Sequence, residues 1–321
     1  MTGRDALLVS VGDRRTGAEP WLASFAARLP HLDVVALGDP VAPECVRYAA
    51  AWRHPHGALA GFPSLRAVFS LGAGVDHLLA DPALPPGVPV ARVVDPDLTA
   101  RMSEWVLLHV LGHHRQARRY RRQQAESRWA DDPHQPAARA VRVGVMGLGV
   151  LGVDAVAKLK LVGFDVAGWS RSPRDVPGIA CFAGADGLDA FLRRTDILVA
   201  LLPLTPDTAG ILDAALFAKL ARDGRLGGPV LINAGRGGLQ READILRCLD
   251  DGTLMAATLD VFEREPLERE SPLWRHPAVT VTPHNAALSD PEAVADLIAG
   301  QILALERGES LRHAVDRGRS Y

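Results

Sequence analysis

Three side chains in the second half of this chain combine types that could handle an anion and a proton together. They are Arg236 in Ile232-Asn233-Ala234-Gly235-Arg236-Gly237, a carboxylate in Leu259-Asp260-Val261-Phe262-Glu263-Arg264-Glu265-Pro266, and His284 in Val281-Thr282-Pro283-His284-Asn285. A guanidinium is always charged and grips oxygens in a planar fork. Imidazole donates a proton near neutral pH, and a neighbouring carboxylate favours its charged form and orients the ring. Singly, each is more often a surface or structural residue. Jointly they matter, because each follows a short apolar run that reads as a strand. In an open parallel sheet, ligands collect beyond the carboxyl ends of the strands. At this point Glu263 and Glu265 compete for the role of the carboxylate.

The elements that would position these groups begin with Val141–Met146, an apolar strand running into Gly147-Leu148-Gly149-Val150-Leu151-Gly152 and a helix over Val153–Leu161. This is G-x-G-x-x-G between strand and helix, with a second strand at Phe164–Trp169. Gly147 allows the tight turn, Gly149 lets backbone approach a pyrophosphate, and Gly152 lets helix and sheet pack closely. The helix N-terminus then offers free N–H groups to the phosphates. A site for NAD is marked by Asp or Glu about 20 residues beyond the glycines. Here Ser170, Arg171 and Ser172 stand instead, with Arg174 close behind. Arg171 can pair with a 2′-phosphate that an acid would repel. The expectation is NADPH in preference to NADH, with NADH still possible.

The chain has 321 residues and a formal net charge of −2, about two domains with no global field to recruit nucleic acid or a membrane surface. Arg115–Arg122 is a basic run, read as the solvated face of one helix over Met102–Gln124 that is capped by Thr99 or Ser103 and has Leu107, Leu108, Val110 and Leu111 on its apolar side. Cys45, Cys181 and Cys248 are odd in number and widely spaced, giving no zinc motif or disulfide framework. With no basic-then-apolar N-terminal segment, the expected location is cytoplasmic. His54-Pro55-His56 lacks a third ligand nearby and reads as a surface loop, so no metal is expected; His113-His114 is read as inert.

Upstream, strands are expected at Ala6–Val11, Val34–Leu37, Ala49–Trp52, Ala67–Ser70 and Val88–Val93, alternating with helices. Downstream, six are expected, at 141–146, 164–169, 196–202, 229–233, 256–261 and 279–282, and a final helix spans 290–306. The fold class is α/β with two doubly wound parallel-sheet domains. A Rossmann cofactor domain (103–288) is inserted in a discontinuous flavodoxin-like substrate domain (1–102 and 289–321), because too little chain remains after the last strand to build a domain of its own.

Taken together, these segments resemble the D-isomer-specific 2-hydroxyacid dehydrogenases and, among them, the glyoxylate/hydroxypyruvate reductase subgroup. The resemblance covers nearly the whole chain. It includes Leu71-Gly72-Ala73-Gly74-Val75-Asp76-His77, Trp169-Ser170-Arg171-Ser172, Leu201-Leu202-Pro203-Leu204-Thr205-Pro206, and Val315-Asp316-Arg317 with Tyr321. The gaps of 29 residues from Arg236 to Glu265 and 19 from Glu265 to His284 match the family's catalytic spacing. The family's acid directly precedes a proline, which selects Glu265 over Glu263. The resemblance implies reduction of small 2-keto acids, with Arg236 as oxyanion clamp, His284 as proton donor and Glu265 as its partner. It also implies cofactor contacts from Leu202, Pro203, Ala234, Gly235, Arg236, Asp260 and His284, besides residues 147–152 and 170–172. Substrate contacts are implied from Trp52, Ala73, Gly74, Arg236 and His284, and a homodimer is implied through the cofactor domain. Two features depart from the pattern: the long glycine-rich turn 222–228, and Asn285 after the histidine. Alternatives are a dehydrogenase for another 2-keto acid, branched or phosphorylated, or a non-catalytic NAD(P)-sensing protein.

Overall fold

The computed structural model describes residues 3–12 and 17–318; Tyr321 lies outside them. The chain divides into two compact units, Met1–Leu98 with Ser289–Tyr321, and Thr99–Leu288. The first unit is built on five parallel strands: β1 (Ala6–Val11), β2 (Asp33–Ala36), β3 (Val46–Trp52), β4 (Ala67–Ser70) and β5 (Val90–Ala91). Their order β2-β1-β3-β4-β5 is the flavodoxin-like doubly wound order. Strands this apolar need cover on both faces. The last helix, Pro291–Glu306, supplies part of it, burying Val294, Ala295, Ile298, Ala299 and Ile302 in one core with Trp21 and Phe25 of the helix Glu19–Arg28. Asp290 caps that helix by accepting from the Glu292 N–H, with Pro291 in its first turn. Arg28 forks between Glu292 and Asp296 and ties the two helices together.

In the second unit, seven parallel strands follow: β6 (Arg142–Met146), β7 (Asp165–Ser170), β8 (Ala180–Ala183), β9 (Ile197–Ala200), β10 (Val230–Asn233), β11 (Ala256–Leu259) and β12 (Val279–Val281). The order is β12-β11-β10-β9-β6-β7-β8, the dinucleotide-fold order with one strand added beyond β11. The sequence reading counted six and missed β8. That edge strand is ACFA, half-exposed, with neither a long apolar run nor a clean alternation.

Two further expectations are corrected. The helix expected over 102–124 begins instead at Pro96 and ends at His114, and a second helix runs Ala117–Ala125. Asp95 caps the first by accepting from Asp97 and Leu98 N–H, with proline at the first helical position. Neither expected cap serves, since Thr99 and Ser103 lie inside the helix and the Ser103 hydroxyl binds Asp154. The break falls at Gln116, which turns left-handed with φ 54°. Leu108, expected on the apolar side, is instead exposed. His54 is no surface residue either. Its side chain and that of Asp81 are wholly buried, with Nε2 3.0 Å from the carboxylate, although Pro55 and His56 are exposed.

Candidate active site

Gly147 leaves β6 with φ 107°, a conformation that side chains avoid, and a Cβ there would stand 2.6 Å from the Leu201 carbonyl oxygen. Gly152 sits so close to the turn that a Cβ would overlap the Gly147 carbonyl oxygen. Between them Gly149 caps the helix Val150–Val162 with nothing within 4 Å of where its Cβ would be. The start of the helix therefore has room beside it, and free N–H groups of a first helical turn suit a phosphate. The next strand, β7, ends at Ser170, with Arg171, Ser172 and Arg174 all exposed beyond it. Ser170 Oγ donates to the Ser172 carbonyl oxygen at 2.8 Å, which curls this segment. The donor set is cationic and hydroxylic, matching a phosphorylated ribose.

The three chemical residues follow β10, β11 and β12, which are neighbours in the sheet. After β10, Asn233 folds the loop on itself. Its Oδ1 accepts from Gly235 N–H at 3.0 Å, and its Nδ2 donates to the Arg236 carbonyl at 3.2 Å. The Arg236 side chain, half-buried, donates to the Gly235 carbonyl oxygen at 2.8 Å. Ala234 is buried, and Gly235 lies against Leu202, where a Cβ would be 2.8 Å from the Leu202 carbonyl oxygen. Pro203 beyond it is exposed.

After β11, Glu265 turns back so that Oε1 accepts from Phe262 N–H at 3.1 Å, while Oε2 meets His284 Nδ1 at 2.7 Å. Glu263 points elsewhere, its Oε1 accepting from Glu242 N–H at 2.8 Å. After β12, His284 holds a left-handed backbone with φ 52°. For a non-glycine residue that costs about 1–3 kcal/mol and persists only where the surroundings impose it. Asp260 imposes it. Only 1% exposed, it accepts from Thr282 Oγ1 at 2.6 Å, Asn285 N–H at 3.0 Å and Ala286 N–H at 3.0 Å. Asp260 is expected among the cofactor contacts, and in this structure its carboxylate braces the loop that carries His284. Asn285, beside Ala286, lines a shallow depression of about 280 Å³ with Arg101, Trp105 and Leu288.

In the first unit, Trp52 ends β3 with its ring packed against Gly72 and 4.5 Å, centroid to centroid, from His77. The buried Ser70 hydroxyl donates to the Gly74 carbonyl at 2.7 Å and accepts from Gly72 N–H at 3.3 Å, which shapes the loop through Ala73 from within. Sequence reasoning assigned no role to Asn233 or Ser70. Among the described residues, no three His, Cys, Asp or Glu side chains cluster as a metal site would require.

A parallel sheet with a glycine cradle after its first strand and acid–base side chains at its carboxyl edge is the framework of a dinucleotide-dependent oxidoreductase. The family model for the D-isomer specific 2-hydroxyacid dehydrogenase NAD binding domain matches residues 107–286. Glyoxylate/hydroxypyruvate reductase A of Serratia proteamaculans is 45% identical over 305 residues, which are 93% of this chain and 95% of that protein. The crystal structure of an NADPH-dependent glyoxylate/hydroxypyruvate reductase from Sinorhizobium meliloti, in complex with NADP and sulfate, superimposes with a TM-score of 0.92. Its identity is 50%, over 99% of this chain and 100% of that one. A D-isomer specific 2-hydroxyacid dehydrogenase from Xanthobacter autotrophicus Py2, in complex with NADPH and MES, gives 0.91 at 42% identity over 99% and 100%. This chain belongs to the D-isomer specific 2-hydroxyacid dehydrogenase family.

Proposed function

We propose that this protein is an NADPH-preferring reductase of small 2-keto acids, turning glyoxylate into glycolate and hydroxypyruvate into D-glycerate. The observation that carries the proposal is the 2.7 Å pair of Glu265 and His284, at the edge of a sheet whose first turn is a glycine cradle. Glu265 takes the Nδ1 side of the ring, which leaves Nε2–H as the proton for the developing alkoxide. Arg236 holds the carboxylate and carbonyl oxygen through its planar fork. The hydride comes from a reduced nicotinamide. Residues 147–152 receive the pyrophosphate at the helix N-terminus, and Ser170, Arg171 and Ser172 receive the 2′-phosphate. Leu202, Pro203, Ala234 and Gly235 complete the cofactor contacts. We assign Thr99–Leu288 to the cofactor, and to the first unit the substrate contacts of Trp52, Ala73 and Gly74. The relatives named for glyoxylate and hydroxypyruvate, and the NADP-bound structure among them, support both substrate class and cofactor.

We further propose a homodimer formed through the second unit, whose surface carries Leu108, Tyr120, Leu288 and a Trp129 with 101% relative exposure. Among the described residues no helix is long and apolar enough to cross a membrane. The three free thiols suit a reducing cytoplasm, which cell fractionation would check.

The deciding experiment is steady-state kinetics at 340 nm with glyoxylate and hydroxypyruvate against NADPH and NADH. NADPH should be the more efficient cofactor. His284→Ala should lower kcat by roughly 10²–10⁴-fold, whereas Arg236→Ala should raise KM and lower kcat together. Near-full activity in His284→Ala, or equal efficiency with NADH, refutes the corresponding assignment.

A further inference from the structure

One buried side chain joins the loop that carries Arg236 to the loop that carries Glu265. We infer that Gln240 is a positioning residue that keeps these two groups in register, an inference that rests on the catalytic roles proposed above for them. Gln240 is 2% exposed. Its Oε1 accepts from Asn233 Nδ2 at 2.8 Å, and the same Nδ2 donates to the Arg236 carbonyl at 3.2 Å. Its Nε2 donates to the Val261 carbonyl at 3.0 Å. That carbonyl belongs to the peptide group whose N–H, on Phe262, donates to Glu265 Oε1 at 3.1 Å. A peptide group is planar and stiff. Fixing its oxygen therefore fixes the direction of the N–H that holds the carboxylate facing His284.

The backbone around Gln240 leaves it little freedom. Leu212 N–H donates to the Leu239 carbonyl at 2.8 Å, and Arg241 N–H donates to the Leu212 carbonyl at 3.1 Å. The two loops also touch directly: a Cβ on Gly237 would overlap the Phe262 carbonyl oxygen. One step further out, Glu242 and Glu263 exchange backbone-to-carboxylate hydrogen bonds, both 2.8 Å. This explains why the carboxylate two residues before Glu265 does not compete for His284. An apolar side chain at 240 would strand the Asn233 amide and the Val261 carbonyl in a dry interior, and each would seek another partner by moving its loop.

The test compares Gln240→Met, which keeps length and loses these bonds and a 3.5 Å contact from Nε2 to Glu242 Oε1, with Gln240→Glu, which keeps the acceptor for Asn233 and loses the donor to Val261 and Glu242. Leu192→Ala, a wholly buried site on the helix Gly184–Arg193 that makes none of these bonds, serves as a stability control. With glyoxylate and saturating NADPH, Gln240→Met should raise KM and lower kcat, each by roughly tenfold. Gln240→Glu should keep KM within about twofold and lower kcat by at least about tenfold, because the Asn233 bond is kept while the new carboxylate oxygen repels the Val261 carbonyl and the Glu242 carboxylate bound to the Glu265 loop. Leu192→Ala should lower the melting temperature and leave both constants within about twofold. The inference is overturned if Gln240→Met melts lower with unchanged constants, or if Leu192→Ala reproduces its kinetics. Should Gln240→Met not fold, an unchanged kcat in Gln240→Glu overturns it alone. Assaying His284→Ala alongside separates the cases: activity there refutes the catalytic roles, whereas its loss with a wild-type Gln240→Met refutes only the coupling.

Discussion

His113 sits near the end of the helix Pro96–His114 with Nε2 2.8 Å from Thr258 Oγ1, so it reaches β11 from the helix side. Burial, helped by the nearby charges of Arg118 and His109, pushes its imidazole down from 6.5 to about 3. The folded protein therefore refuses a proton that the unfolded chain accepts. The stability contributed by neutral His113 is complete above about pH 6.5 and is lost progressively as pH falls toward 3. Replacing it by glutamine, which can still bond Thr258, removes that titration. In urea unfolding between pH 4 and 6.5, His113→Gln should lose stability less steeply than wild type, by up to about 1.4 kcal/mol per pH unit. Parallel slopes would reject the account. This histidine and the three site groups illustrate what residue types reveal on their own. Arg236 and His284 stood out because each combines a reactive type with a place just after an apolar run, whereas Glu265 was separated from Glu263 only by the family resemblance. Asn233, Gln240 and the bracing use of Asp260 did not stand out, because the bonds that give them these roles, Asn233 to Gln240, Gln240 to Val261 and Ala286 to Asp260, span 7 to 26 residues and only the folded chain brings them together.

Gly152 shows how packing overrules propensity within an element. Alanine should favour the helix Val150–Val162 by about 1 kcal/mol over glycine. Its methyl group, however, would overlap the Gly147 carbonyl oxygen, and such overpacking costs about 1–3 kcal/mol. The clash should win. Gly152→Ala is expected to melt below wild type and to bind NADPH more weakly by fluorescence titration; a higher melting point with intact binding would contradict it. Elements were legible wherever an apolar run was long enough. Eleven of the twelve strands among the described residues were anticipated to within a few residues, and all five of the first sheet among them. β8 escaped because a half-exposed edge strand of only four residues is too short to show a period of its own. The helix break at Gln116 escaped because residues on both sides of it favour helix. A left-handed turn is held there by tertiary bonds, from Gln116 to Asp132 and to Gln135, that no local pattern announces.

For the whole molecule, an exposed Trp129 and the exposed leucines of the second unit ask for a partner surface, since a fully solvated tryptophan is uncommon. Light scattering should give twice the 34.3 kDa of one chain, and Trp129→Ser with Leu108→Ser should shift the population toward one copy. A wild-type mass of a single chain would rule the dimer out.

The discontinuity of the first unit also has a consequence in time. Its core is closed by Val294, Ala295, Ile298 and Ile302, which leave the ribosome only after the whole of Thr99–Leu288. At ~5–20 residues per second that wait is on the order of 10–40 s. During it, β1 to β5 lack the helix that covers one of their faces, while the second unit, which owns its entire sheet, is free to fold. The order of synthesis thus makes the later segment the first to finish, and leaves the nascent N-terminal sheet as the part of this protein with most need of a chaperone's shelter.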